Sequence, residues 1–224
     1  MECLPPVSGQ ASPTRRRRVP YEPDLYALHN DSVLVIPDGV YVEEINSTGT
    51  STIWKVPLDG HVFALKEISK SSLFTDSLRK QATAEVLALR ALHHRNIVKF
   101  FQAFQSSRSL YVAMRYHRQD LYKYTTSNLI VSTKYAELWT KQLSSALAYM
   151  KTRGFLHRDI KLENVLLAED NSVRLADFGL SIREADAADA VVAGTRHCIA
   201  PEVKAGLRPG YEVDAWSLGV LLFE

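Results

Sequence analysis

One short stretch concentrates three kinds of polar group. His157, Arg158, Asp159, Ile160, Lys161, Leu162, Glu163 and Asn164 run in order, so a carboxylate is followed by an ammonium two residues on and a carboxamide five residues on. Moving a phosphoryl group asks little covalent work of a protein; it needs an oriented hydroxyl, a held metal ion and neutralised charge. A loop carrying these three groups can supply all three. A second carboxylate opens Asp177, Phe178, Gly179, 18 residues after Asp159. Alone, that tripeptide is an ordinary turn sequence. Upstream, Lys66 ends an apolar run and Glu85 lies 19 residues further on. Either of these two alone reads as a solvated side chain.

The elements around these residues change character along the chain. Residues 1–32 carry five prolines and the arginines at 15–18 with few apolar anchors, which predicts a flexible basic leader. Strand patterns follow at 33–36, 40–45, 52–56 and 61–68, the last two joined by the turn sequence Pro57, Leu58, Asp59, Gly60. Helical spacing takes over at 78–92, with Val86, Leu89 and Leu92 near one face. Another strand pair is predicted at 98–105 and 109–116. The strongest helix spans about 134–152, with Ser132 or Thr133 to cap it and Gly154 past its end. Strands first and helices second predict an α+β fold in two lobes.

Taken in order, these motifs resemble the protein kinase family, serine/threonine type. The resemblance implies that Asp159 orients or accepts the proton of a substrate hydroxyl, and that Lys161 contacts the transferring phosphate. Asn164 and Asp177 are implied Mg²⁺ ligands. The run Phe63, Ala64, Leu65, Lys66 resembles the strand whose lysine grips the α- and β-phosphates of ATP, with Glu85 holding that lysine in place. Residues 110–117 resemble the strand and hinge that hold adenine, with Met114 at the back of the pocket. Ile45, Gly49, Ile53, Ala64, Tyr116, His117 and Leu166 complete the implied ATP contacts. Ala200, Pro201, Glu202 resembles the close of the activation segment. Asp214 is implied to bond catalytic-loop backbone from the start of a buried central helix. The domains implied are a β-rich N-lobe at 33–117 and a helical C-lobe at 118–224, incomplete because the chain ends inside the central helix. Within the family the leaning is to Aurora-, polo- and calmodulin-dependent-kinase-like groups.

Three departures stand out. The family's glycine-rich loop, Gly-x-Gly-x-x-Gly-x-Val, falls on residues 46–53, where Asn46, Thr48 and Ser51 occupy the glycine positions. Arg115 sits in the hinge, where an acidic residue is common. Residues 183–193 contain no Ser, Thr or Tyr, although Arg158 precedes Asp159 in the manner of kinases switched on by a phosphate there. Asp186 and Asp189 are the anions placed to stand in for that phosphate, and an activating partner protein is the other way to order the segment.

Composition narrows the remaining readings. A net charge of +2, 46% hydrophobic and 23% charged residues are ordinary for a soluble globular protein and imply neither a nucleic-acid nor a membrane partner. Cys3 and Cys198 make no disulfide framework, and Cys198 reads as a packing residue. The expected location is a reducing one, cytoplasmic, with the arginine run offering a route to the nucleus. The implied activity is transfer of the ATP γ-phosphate to a Ser or Thr of a protein substrate. The alternative is a non-catalytic pseudokinase scaffold, favoured by the altered loop and opposed by Lys66, Glu85, Asp159, Asn164 and Asp177.

Overall fold

The computed structural model describes residues 16–18, 26–27, 41–128, 131–189 and 192–224. The strands are β1 (Arg16–Arg18), β2 (Tyr26–Ala27), β3 (Tyr41–Ser47), β4 (Ser51–Leu58) and β5 (His61–Ser69). After helix α1 (Asp76–Ala91) come β6 (Phe100–Gln105), β7 (Ser109–Arg115) and β8 (Gln119–Asp120). Helices α2 (Leu121–Ser127) and α3 (Thr133–Thr152) lead to the short strands β9 (Phe155–Leu156), β10 (Val165–Leu167), β11 (Val173–Leu175) and β12 (Ile182–Arg183). Helices α4 (Pro201–Lys204) and α5 (Glu212–Phe223) follow.

Seven strands form one antiparallel sheet in the order β1-β3-β4-β5-β7-β6-β2. Leu58 pairs with His61 across a two-residue turn in which Asp59 and Gly60 both have positive φ. That backbone matches the twist of the strands it joins, which is why Asp-Gly serves here. In β3 the register shifts between Glu44 and Asn46, leaving Ile45 as an unpaired extra residue. Such a bulge re-aims side chains. Two pieces of the predicted leader are strands: β1 pairs with β3 and β2 with β6, at opposite edges of the sheet. Open strand edges offer unpaired N–H and C=O groups even to a sequence with little apolar content, and periodicity does not register that. The predicted strand at 33–36 lies outside the described residues.

Helix α1 begins where the Thr75 hydroxyl accepts the Leu78 amide. Its buried stripe is Ala82, Glu85, Val86 and Leu89, so a carboxylate occupies the apolar face. Helix α3 buries Trp139, Leu143, Ala146 and Met150 at similar spacing. Ser132 stands at its N-cap without a side-chain bond, contrary to the expected hydroxyl cap; the Ser132 carbonyl instead receives the first amides. The main apolar core runs from Val86 and Leu89 of α1 through Val112 and Met114 to Leu143, Met150, Leu175 and Phe178. The sheet and the helical half are therefore packed on each other. Among the described residues no helix is long and apolar enough to cross a membrane.

Candidate active site

A cleft of about 520 Å³ opens between the sheet and the helical half. Its apolar end is lined by Ile45, Ile53, Ala64, Met114 and Leu166, its polar end by Lys66, Glu85, Lys161, Asn164 and Asp177. The bulge at Ile45 turns that side chain into the cleft, and Tyr116 and His117 form the connecting rim. Burial, reinforced by Arg174 and Arg115, holds the His117 imidazole down at about 4.

Lys66 is carried by a central strand and Glu85 by the buried stripe of α1. Their side chains meet at 2.6 Å, and the same ammonium lies 3.1 Å from Asp177 Oδ1. Burial opposes the charge on Lys66, but Glu85 and Asp177 outweigh it and hold the lysine above its usual range. A lone buried glutamate would be costly in the stripe of α1; the ammonium is what makes it tolerable. Asp177 is half exposed, and the desolvation it does suffer in the cleft is overcome by Lys66, so its carboxyl stays below the usual range. Asp177 takes φ +57, a left-handed backbone uncommon outside glycine and asparagine.

The 157–164 loop is held from beneath. The buried Asp214 of α5 accepts the amides of His157 and Arg158, both at 2.8 Å. These bonds brace Arg158, whose φ is +68. His157 bonds the Ala176 carbonyl at 3.0 Å and meets Phe178 edge to face. The catalytic-loop and Asp177 segments are thus joined behind the cleft.

Asp159 is held by four donors. Oδ1 accepts the Thr195 amide at 3.0 Å and hydroxyl at 2.7 Å. Oδ2 accepts Asn164 Nδ2 at 2.9 Å and Lys161 Nζ at 3.0 Å. Burial pushes this carboxyl up, and the bonds from Thr195 and Lys161 more than reverse it. Lys161 also donates to the Thr195 hydroxyl at 2.9 Å. Gly194 precedes this threonine at φ +115, where an added Cβ would lie 2.6 Å from the Arg158 carbonyl. No other residue fits there.

The roof is built differently from the family pattern. Thr48 N donates to Ser51 O at 2.8 Å, and the Thr48 hydroxyl accepts Ser51 N at 3.1 Å. Asn46, Thr48 and Ser51 all lack positive φ, so hydroxyls close the turn without the conformational freedom of glycine. Gly49, an expected ATP contact, is exposed at the tip and does not line the cleft; Thr48 and Ser51 do. The turn sends its middle residue outward, which pattern matching does not register. The structure adds Val98 and Ala176 to the cleft lining and Asp120 to its mouth. Ala176 directly precedes Asp177, whereas nothing in the spacing of Val98 marks it.

In the activation segment, Asp186 is exposed and makes no hydrogen bond or ion pair among the described residues, so it does not fill the place expected beside Arg158. The side chain of Asp189 lies outside the description. Burial of Cys198 agrees with a packing role.

The sequence matches the protein kinase domain over residues 46–224. It is 32% identical over 166 residues to an Aurora kinase of Schizosaccharomyces pombe, covering 74% of this chain and 47% of that protein. To an Aurora kinase of Candida glabrata it is 35% identical over 167 residues, again 74% and 47%. To the carbon catabolite-derepressing protein kinase of Candida glabrata it is 33% identical over 186 residues, 80% and 30%. The chain spans half or less of the length of these curated relatives.

Proposed function

The chain belongs to the protein kinase domain family, and on that premise we propose that it transfers the γ-phosphoryl group of ATP to serine or threonine hydroxyls of a protein substrate. The observation that carries this reading is the convergence of Glu85 and Asp177 within 3.1 Å of the Lys66 ammonium, at the polar end of a nucleotide-sized cleft. The donor set fits Mg-ATP. The Asn164 amide nitrogen is committed to Asp159, which leaves its carbonyl oxygen for a hard cation beside the Asp177 carboxylate. Ile45, Ile53, Ala64, Met114 and Leu166 offer apolar faces for an adenine ring. Bound Mg-ATP supplies the phosphoryl group, with the metal offsetting part of its charge.

Each residue then has a task. Lys66, fixed by Glu85, binds phosphate oxygens. Asp159 accepts a hydrogen bond from the acceptor hydroxyl and aims it, and would take its proton as the oxygen becomes bonded to the γ-phosphorus and the bond from that phosphorus to the ADP oxygen breaks. Lys161 neutralises charge on the transferring group, and its bond to Thr195 keeps it over the reaction path. A protein substrate in a reducing compartment, cytoplasmic or nuclear, suits the two cysteines and the basic run at 15–18.

The test is transfer from labelled ATP to protein acceptors, followed by phosphoamino-acid analysis. Phosphoserine or phosphothreonine is expected, absent in Asp159→Asn. Mg-ATP binding with no transfer by the unmodified protein overturns the reading in favour of a non-catalytic scaffold.

A further inference from the structure

Between Asp177 and Glu202 the chain holds two hydroxyl side chains, Ser181 and Thr195. Ser181 is 2% exposed, out of reach of a modifying enzyme. The Thr195 hydroxyl is already bonded to Asp159 and Lys161. A phosphate is therefore not available to order this segment, yet it is folded over 182–189. Strand β12 pairs with β9, Ile182 opposite Leu156 and Arg183 opposite Phe155. Ala187 is fully buried.

At the centre of this fold is Glu184, bonded at three of its atoms. Its amide donates to the Gly154 carbonyl at 3.0 Å, at the end of α3. Its carbonyl accepts Arg208 Nη2 at 2.8 Å, and its Oε2 accepts the Tyr211 hydroxyl at 3.0 Å. Lys151 of α3 lies 5.2 Å over the Tyr211 ring. One residue thus ties the segment to the end of α3 and to the loop before α5. The same segment continues to Thr195, whose amide and hydroxyl hold Asp159.

We infer that Glu184 is a positioning residue: through Tyr211 and Arg208 it orders the activation segment permanently, so the enzyme runs without a phosphate there. This rests on the phosphoryl-transfer reading above. A carboxylate can serve where other kinases of this type await a phosphate, because its acceptor oxygen is already charged and its partner is a neutral phenol that needs no dianion. The effect on rate is transmitted through Thr195 and does not involve contact with substrate.

The full-length protein is assayed before and after phosphatase treatment, with amide exchange followed across 182–189. Turnover should survive treatment. Glu184→Ala and Tyr211→Phe should each lower kcat/KM for the protein acceptor about fivefold, the scale of one partly exposed hydrogen bond to a charged group. KM for ATP should stay unchanged, and the double variant should be no worse than either single one. Glu184→Gln, which keeps an acceptor for Tyr211, should restore most of the loss. Activity abolished by phosphatase overturns the inference. So does a Glu184→Ala variant with unchanged acceptor kinetics, whether or not exchange quickens. If the unmodified protein transfers no phosphate, the function is wrong, and faster exchange at 182–189 in Glu184→Ala still decides the anchoring separately.

Discussion

On the floor of the cleft, Asp159 is held by four donors drawn from the catalytic loop and from Thr195, which lies 36 residues away along the chain. On its roof, the 48–51 turn is held mainly by bonds among its own hydroxyls and amides, with the Thr50 carbonyl also accepting from Ser72 Oγ at 3.2 Å. The floor is also braced from below by Asp214, while the outermost residue of the roof, Gly49, has open space around it. The difference teaches where the chemistry is strict. Charges that must meet a reacting atom need fixed geometry, because small displacements cost rate steeply. A roof that covers the cleft needs only a turn of the right shape, and more than one set of residues makes it; here the Thr48 and Ser51 amides are spent inside the turn itself.

That contrast breaks first if the floor proves tolerant. Asp177→Ala and Lys66→Met should each slow transfer by on the order of a thousandfold; Asp177→Ala should leave the melting transition nearly in place, whereas Lys66→Met should lower it because Glu85 stays buried without its ammonium. Steady-state kinetics beside a thermal melt checks this, and near-normal turnover in either variant removes the distinction. A gentler probe is Thr48→Ala combined with Ser51→Ala. Loss of the hydroxyl bonds should raise KM for ATP about fivefold and leave kcat within about twofold, the pattern of weakened ground-state binding. A kcat that collapses with KM would show that the roof is as strict as the floor.

The smallest effect belongs to the hinge between the two. His117 stays neutral down to about 4 in the folded chain, against about 6.5 when unfolded. The unfolded chain therefore takes up this proton first. Its contribution to stability is complete above about 6.5 and is lost as the pH falls toward 4. His117→Gln should flatten the pH dependence of the unfolding midpoint within that window only.

The floor was legible in the sequence and the roof was not, for the same physical reason. Asp159, Lys161, Asn164 and Asp177 act through their own side chains, so residue type and spacing carry the information. Lys66 and Glu85 were readable as a pair through the resemblance, which sets such a lysine and glutamate upstream of the other motifs in order; either one alone reads as a solvated side chain. The roof works through backbone, and a backbone turn closed by Thr48 and Ser51 has no glycine signature. The Ile45 bulge was equally silent, since a register shift depends on a partner strand and leaves no trace in local pattern. Glu184 carries no signal of its own in the sequence, because its partners Arg208 and Tyr211 lie 24 and 27 residues on in irregular chain, where no periodicity links them.

The crowding around Asp159 has a consequence for the waiting enzyme. A carboxylate has room for about four donors, and here all four places are taken by Thr195, Asn164 and Lys161. Water entering the cleft finds no idle base to draw its proton. An acceptor hydroxyl must displace a donor, and a bound polypeptide that positions its own serine can do so where a stray solvent molecule gains nothing by it. The resting site is thereby insulated against spending ATP on water, and the insulation comes from the same threonine that keeps the loop in shape.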